Sequence, residues 1–421
     1  MKIYMETYGC ASSLAESEIM SGLLSQAGFL IVEDENQADL AILVTCYVKT
    51  PTEQKILMRI GELCKKKLII AGCMPEGVYD KIVSVAPNAS MVSTHHIKDI
   101  ALAANETLKG IRVEFLGKSN EVKLCLPKDR KNKIIGIVPI SSGCNSKCTY
   151  CCVRHAKGSL FSYPKEMILK EVEASLKDGC KEIWLTAQDT ASYGYDNKEN
   201  LPKLISEITS IPGDFKVRVG MMNPRNVMPI INDLIEAFKN EKVYKFIHLP
   251  LQSGSDDVLF SMNRGYSVSQ FEEIFKIFRK SFKCQIWTDA IVGYPTESDE
   301  DFLKTVELVK KLKPDWVNVS KFGARPSTEA SNMKALPAKI VNDRSKMLSE
   351  LAREISLENN SRWLGWEGGI LVFEKGRKGQ WIGKNSAYKS VVIDSRDNLM
   401  GNLLRVKIID FSNAYLVGEL A

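Results

Sequence analysis

From Ile134 onward the chain repeats one pattern six times: a short apolar run, a polar or glycine-rich turn, then an amphipathic stretch of helical period. The runs are Ile134 to Ile140, Glu182 to Thr186, Phe215 to Val219, Tyr244 to Leu249, Gln285 to Val292 and Trp316 to Ser320. Strand and helix in alternation give parallel strands covered by helices, so six units build an α/β fold, a partial (β/α)6 barrel. Barrels of this kind place their chemistry in the loops after the carboxyl ends of the strands. The unusual clusters of this chain fall there. They are the cysteine loop at 144 to 151, Gln188-Asp189, Asn223-Pro224-Arg225, Gln252-Ser253-Gly254, Gly293-Tyr294-Pro295 and Arg325-Pro326, one after each run in turn.

The loop after the first run reads Ser142-Gly143-Cys144-Asn145-Ser146-Lys147-Cys148-Thr149-Tyr150-Cys151. Its three cysteines, spaced C-x3-C-x2-C, can converge on one centre without help from distant chain. Three thiolates leave one iron of a four-iron cluster without a protein ligand, and a small molecule can be bound and reduced at that open position. The alternative is tetrahedral zinc, which needs a fourth Cys or His. Cys152 is adjacent and awkwardly placed for that role, whereas His155 is within reach. The spacing favours the cluster.

Residues 1–110 predict a smaller doubly wound domain. Lys2 to Tyr8, Ala38 to Thr45 and Lys67 to Ala71 read as strands, while Ala15 to Gln26, Thr52 to Cys64 and the stretch after Ile97 read as helices. In such sheets ligands bind outside the carboxyl ends of the strands. Cys10, Cys46 and Cys73 each follow one of the three strands, so three cysteines recur at equivalent positions. Residues 111–133 read as a linker, and its run Lys128-Asp129-Arg130-Lys131-Asn132-Lys133 as a solvated loop. The barrel unit is expected over 134–360, ending in a long amphipathic helix from about Ala338 to Asn360. In 361–421, short β-rich runs (Gly369 to Phe373, Ser390 to Ile393, Leu404 to Ile409, Ala414 to Leu420) between Gly, Asn and Asp turns predict a small β-barrel.

Composition narrows the function classes. At 421 residues, 44% hydrophobic and 26% charged, the chain has the balance of a folded globular protein. The start Met1-Lys2-Ile3-Tyr4-Met5-Glu6 lacks a basic region followed by an apolar run, and no stretch reaches membrane-spanning length, so a cytoplasmic protein with no membrane partner is expected. Eleven cysteines then point to thiolate ligation in a reducing compartment rather than to disulfides. The net charge of +6 permits a nucleic-acid partner, and residues 361–421, with nine Lys and Arg against six acids, carry +3 of it. Trp363, Trp366, Trp381 and Tyr388 are interleaved with that charge; core filling suits most of them, with base stacking the alternative.

The C-x3-C-x-aromatic-C pattern, with Tyr150 as the aromatic, resembles the radical S-adenosylmethionine enzymes. Its continuation through His155-Ala156-Lys157-Gly158 and Ser162-Tyr163-Pro164 resembles their methylthiotransferase family. Leu249 to Ser255 with Met262-Asn263-Arg264, and Thr288 to Glu297, resemble that family's segments after the fourth and fifth strands, and residues 361–421 resemble its closing TRAM domain. The resemblance spans essentially the whole chain. It implies one 4Fe-4S cluster on Cys144, Cys148 and Cys151 and a second on Cys10, Cys46 and Cys73. It also implies S-adenosylmethionine held by Gln188, Asp189, Asp289 and Gly293, with Tyr150 against its adenine. Three positions depart from the family pattern: Ser13 and Thr45, where Asn is common, and Thr296, where Gly is common. Ser298 and Asp301 read equally as a plain helix start, so Glu297 need not meet a ligand. Cys64, Cys125, Cys152, Cys180 and Cys284 have no motif and read as bystanders.

The resemblance further implies a reaction: replacing the hydrogen on carbon 2 of an adenine by a methylthio group, a bond that side-chain acids, bases and nucleophiles cannot activate. The cysteine-loop continuation resembles the archaeal and eukaryotic-type branch, which acts on threonylcarbamoyladenosine beside the anticodon of tRNA. Isopentenyladenosine in tRNA and a ribosomal-protein aspartate are the alternative substrates within the family. A one-electron donor such as ferredoxin or flavodoxin and a sulfur donor are expected partners. Outside the family, a non-catalytic iron-sulfur RNA-binding or electron-carrier protein and a zinc-stabilised RNA-binding module remain open.

Overall fold

A computed structural model describes residues 1–376 and 378–421; Arg377, counted above in the C-terminal charge, lies outside the described residues. The first sheet has six parallel strands: β1 (Lys2–Thr7), β2 (Leu30–Val32), β3 (Leu40–Thr45), β4 (Leu68–Gly72), β5 (Ser90–Ser93) and β6 (Glu114–Phe115), in the order β2-β1-β3-β4-β5-β6. Every residue of β3 and β4 is buried, because helices cover both faces. Ile3, Ile19, Ile42 and Ile69 belong to the core on one face, and Leu43, Ile56, Ile60 and Ile70 to the core on the other. The strand order reverses between β1 and β3. This is the switch point where a doubly wound sheet opens a crevice, and Cys10 and Cys46 follow its two strands. The sequence patterns reveal β1, β3 and β4 but not β2, β5 or the two-residue β6, which carries the sheet through Phe115.

The second unit begins with β7 (Ile135–Pro139). Next comes a small antiparallel pair, β8 (Ser141–Ser142) with β9 (Phe161–Ser162), that ties off the cysteine loop. The remaining parallel strands are β10 (Glu182–Thr186), β11 (Lys216–Val219), β12 (Phe246–His248), β13 (Gln285–Val292) and β14 (Trp316–Lys321). β11-β10-β7 and β12-β13-β14 are joined by a parallel bridge at Val217 and Val243, with Tyr244 N–H donating to Val217 O at 2.9 Å. The six strands therefore run in sequence order around an open barrel. Alternation sorts their side chains: Ile183, Val217, Ile247, Ile286 and Ala290 pack under the helices, while Trp184, His248, Trp287 and Asp289 belong to the opposite face and stay half-buried. The helix Ala338–Ser361 packs along β14.

The last unit is a closed five-stranded barrel, β15 (Glu367–Lys375), β16 (Trp381–Asn385), β17 (Ser390–Ile393), β18 (Leu403–Phe411) and β19 (Leu416–Leu420), in the order β15-β16-β17-β19-β18. Trp363 and Trp381 fill its core, and Tyr388 packs on Tyr244 and Phe246 with ring centroids 4.9 and 4.8 Å apart. None of these three is free to stack on a base. The unit docks on residues that precede the strands of the open barrel. Asn132 Nδ2 donates to Phe373 O at 2.8 Å, Lys181 Nζ to Gly401 O at 2.8 Å and Lys245 N–H to Ser386 O at 2.8 Å, while Lys389 pairs with Asp315 at 2.8 Å. It thus closes the end opposite the cysteine loop. No described helix is long and apolar enough to cross a membrane.

Candidate active site

The cysteine loop is held in place by groups that cannot easily be varied. Gly143 sits at φ +75°, and a Cβ there would lie 1.9 Å from Ser159 O, so only glycine fits. Thr149 ties the loop to three others: its hydroxyl meets Tyr294 OH at 2.8 Å, its N–H donates to Met262 O at 3.2 Å, and its carbonyl accepts from Ala330 N–H at 3.0 Å. Arg264, buried, donates to Cys148 Sγ at 3.1 Å, Tyr150 OH at 3.2 Å and Asn223 Oδ1 at 3.3 Å. Tyr150 packs against the cluster of Val258, Met262 and Tyr294. Burial pushes the Cys151 thiol up to about 12 and raises that of Cys144. Such thiols become thiolates when a cationic centre takes them as ligands. His155, the fourth-ligand candidate for zinc, is exposed.

The other mouth residues divide into two kinds. Asp189 commits both oxygens to its own surroundings: Oδ1 accepts from Ala191 N–H at 3.1 Å and Asn223 N–H at 2.9 Å, Oδ2 from Asn226 Nδ2 at 2.6 Å. Gly293 (φ +76°) donates its N–H to Glu297 at 2.7 Å, and Glu297 in turn meets Arg344 at 2.6 Å, which anchors this loop to the helix Ala338–Ser361. Glu297 is a structural anchor, and Ser298 and Asp301 form a capping box. Among the described residues Gln188 Oε1 and Gln252 Oε1 are buried with no hydrogen-bond partner, as is Glu297 Oε1, and an unpartnered oxygen at the mouth is free to accept from a ligand. Gln252 holds φ +67°, outside the ordinary range for its type. Asp289 accepts from His248 Nε2 at 2.8 Å and Asn318 Nδ2 at 2.8 Å; burial works against its charge, but these bonds hold its carboxyl below the usual range.

The second trio lies at the switch point of the first sheet. Cys10 stands at the N-terminal cap of Ala11–Gln26 and Cys73 at that of Met74–Gly77, so the positive end of a helix backs Cys10. Thr45 Oγ1 donates to Ala71 O at 2.6 Å, locking β3 to β4 just ahead of Cys46 and Cys73. The three thiols are near enough for charge on Cys10 and Cys46 to raise Cys73, which burial already pushes up to about 12. Among the described residues no three His, Cys, Asp or Glu side chains crowd closely enough for one ion. Each trio offers three sulfur donors, the donor type that iron-sulfur clusters take.

Residues 138–309 match the model of the Radical SAM superfamily, and residues 2–94 match that of Uncharacterized protein family UPF0004. A Methanothermobacter thermautotrophicus protein named "Probable threonylcarbamoyladenosine tRNA methylthiotransferase" is 41% identical over 424 residues, covering 100% of this chain and 99% of the relative. The chain belongs to the threonylcarbamoyladenosine tRNA methylthiotransferase family. The Drosophila melanogaster member is 36% identical over 432 residues, covering 100% of this chain and 77% of its own length. Among solved structures, the radical S-adenosylmethionine methyltransferase TsrM from Kitasatospora setae shares the fold, with a TM-score of 0.58 at 13% identity over 78% of this chain and 75% of that one. Membership brings an iron-sulfur cluster and S-adenosylmethionine with it.

In this methylthiotransferase the two trios meet across a domain contact that sequence reasoning misses. Cys152, read as a bystander, is buried in the core of the first domain, where its carbonyl accepts from Tyr47 OH at 2.9 Å and its thiol is felt by Cys46. Arg325, after the sixth strand, is buried against Glu53 of the first domain and donates to Thr50 Oγ1 at 3.3 Å. The adjacent residues Cys151 and Cys152 thus span from one trio to the other. The hint in the sequence is that an ordinary cysteine directly follows a ligand-spaced one.

Proposed function

We propose that this chain replaces the carbon-2 hydrogen of N6-threonylcarbamoyladenosine, beside the anticodon of tRNA, with a methylthio group. The observation that carries the reading is the pair of thiol trios at one domain contact in a chain collinear with this family's members. The proposed division is a second-cluster domain (1–110), a linker (111–133) whose first residues add the edge strand β6 to that domain's sheet, the radical barrel (134–360) and an RNA-contacting β-barrel (361–421). Cys144, Cys148 and Cys151 hold one 4Fe-4S cluster, and Cys10, Cys46 and Cys73 hold another. When bound, the first supplies the one-electron cleavage of S-adenosylmethionine that an unactivated C–H bond demands, and the second supplies sulfur.

The chain's own residues bind, orient and exclude. Gln188 offers its unpartnered oxygen to the amino end of S-adenosylmethionine, with Tyr150, Asp289 and Gly293 lining the same mouth. Asp189 positions the loop of Asn223 and Asn226 around it. The first domain, clamped by Arg325 and Tyr47, covers the mouth and keeps water from the reacting atoms. A ferredoxin or flavodoxin is the expected electron source, a separate protein the sulfur source, and the cytoplasm, where tRNA and reduced thiols coexist, the location.

Iron and acid-labile sulfide analysis after anaerobic reconstitution tests the two-site assignment. About eight irons per chain are expected, and about four in a Cys10→Ala/Cys46→Ala/Cys73→Ala variant. Bound zinc without sulfide, or one cluster in both proteins, contradicts it.

A further inference from the structure

Lys157 lies in the stretch after the cysteine loop, yet its ammonium ends inside the first domain. Its side chain is 4% exposed as a residue, and Nζ donates to Glu16 Oε1 at 2.7 Å, Thr94 Oγ1 at 3.0 Å and Ser12 Oγ at 3.2 Å. Lys123, from the linker, donates to the same Glu16 oxygen at 2.7 Å and to Thr94 Oγ1 at 2.9 Å. Glu16 and Lys123 are each 3% exposed. Among the described residues Glu16 is the one carboxylate within pairing distance of either lysine.

With both lysines protonated, two ammonium groups on one carboxylate leave a buried excess of one positive charge, an unfavourable arrangement in which burial lowers the pKa of Lys123 although Glu16 opposes it. The surroundings show what compensates it. Lys157 Nζ reaches Ser12, two residues past Cys10, and Thr94, whose own N–H donates at 3.0 Å to the carbonyl of Gly72, the residue directly before Cys73; burial works against the charge on Lys157, yet Glu16 holds its pKa well above the lysine range. The excess charge therefore faces the second trio. A cluster carried on three thiolates is an anion, and a fixed cation beside it in a low-dielectric site makes the cluster easier to reduce.

We propose that Lys157, with Lys123 and against Glu16, is an electrostatic positioning residue for the Cys10-Cys46-Cys73 cluster: it supplies the net positive charge that holds this cluster and raises its reduction potential. Because Lys157 belongs to the barrel unit, the cluster of the first domain acquires its full counter-charge only when the two units are docked. This rests on the two-cluster reading.

The test uses the full-length chain carrying Cys144→Ala, Cys148→Ala and Cys151→Ala, so that only the second cluster reports, with midpoint potentials taken by EPR-monitored titration. Lys157→Met should shift the potential negative, and Glu16→Gln should shift it positive. The Lys157→Met/Glu16→Gln pair, which restores the net charge through Lys123, should return close to the parent. A merely structural role predicts no such reversal, since it does not depend on the sign of the charge removed. Loss of iron from Lys157→Met that Lys157→Arg restores also supports the charge assignment. Shifts of one sign, no shift in a fully loaded variant, or iron loss that neither Arg nor the Glu16→Gln change repairs would overturn it. Iron retention by the parent triple variant checks the two-cluster reading itself, and a parent that holds no iron sinks both.

Discussion

Arg264 Nη1 stands 3.1 Å from Cys148 Sγ and 3.2 Å from the hydroxyl of Tyr150, so one buried guanidinium joins the middle cysteine of the loop to its aromatic neighbour. The cation comes from the segment after the fourth strand, and its remaining nitrogens meet Tyr266 and Asn223. It is placed to favour a thiolate and to fix the ring at once. Arg264→Gln keeps donors but removes the charge. A hydrogen bond to a charged group contributes about 1.5–3 kcal/mol, so S-adenosylmethionine cleavage should fall roughly 10–100-fold. A cleavage assay on protein matched for iron content measures it.

Gly143 admits no side chain at all. Gly143→Ala adds a Cβ to a residue at φ +75° with Ser159 O in its path, at a local cost of at least about 2 kcal/mol. Iron bound at the Cys144-Cys148-Cys151 site should drop sharply while the Cys10-Cys46-Cys73 site loads normally, as judged by iron counts in the matching triple-alanine backgrounds.

The domain contact has its own lever. Arg325 and Glu53 are both buried, and Arg325→Met strands Glu53 with only the half-exposed Lys81 as partner. Removing one member of a buried pair costs about 3–5 kcal/mol, an upper figure here because Lys81 remains. Hydrogen exchange should speed up in the segment after β3 that carries Cys46 and Tyr47, with the barrel strands unchanged.

One carboxyl sets a pH dependence. Burial raises Glu18 to about 7; among the described residues its Oε2 has no partner, and only the backbone N–H of Lys131 reaches its other oxygen, at 3.4 Å. A folded-state pKa above the unfolded value means that Glu18 favours the fold while protonated. Its contribution is whole below about pH 4.5 and declines as pH rises towards 7, by up to about 3 kcal/mol. Glu18→Gln should therefore raise the melting temperature at pH 8 and leave it nearly unchanged at pH 4.5; equal effects at both would contradict the assignment.

The sequence shows the two trios and the strand ends that carry them because both are local: thiolate spacing within one loop, and one cysteine after each of three apolar runs. Other strands are harder to see. Leu30–Val32 and Glu114–Phe115 are too short for a period to register, and Trp381–Asn385 is interrupted by glycine and lysine. The run Lys128 to Lys133, read as a solvated loop, instead pairs Lys128 with Glu171 and Arg130 with Asp178, leaving Asp129, Lys131 and Lys133 exposed. Lys157 and Glu16 are 141 positions apart, and nothing in either neighbourhood announces the other. Charge pairs made by tertiary docking have no sequence period to reveal them.

The central claim is tested most directly by the product. Protein reconstituted anaerobically with iron and sulfide is given reductant, S-adenosylmethionine and tRNA bearing threonylcarbamoyladenosine, and the digested nucleosides are identified by mass spectrometry. The account predicts a methylthio group on that nucleoside, absent from a Cys10→Ala variant that still cleaves S-adenosylmethionine. Cleavage by fully loaded protein with that nucleoside unmodified, or a methylthio product from the Cys10→Ala variant, would contradict it.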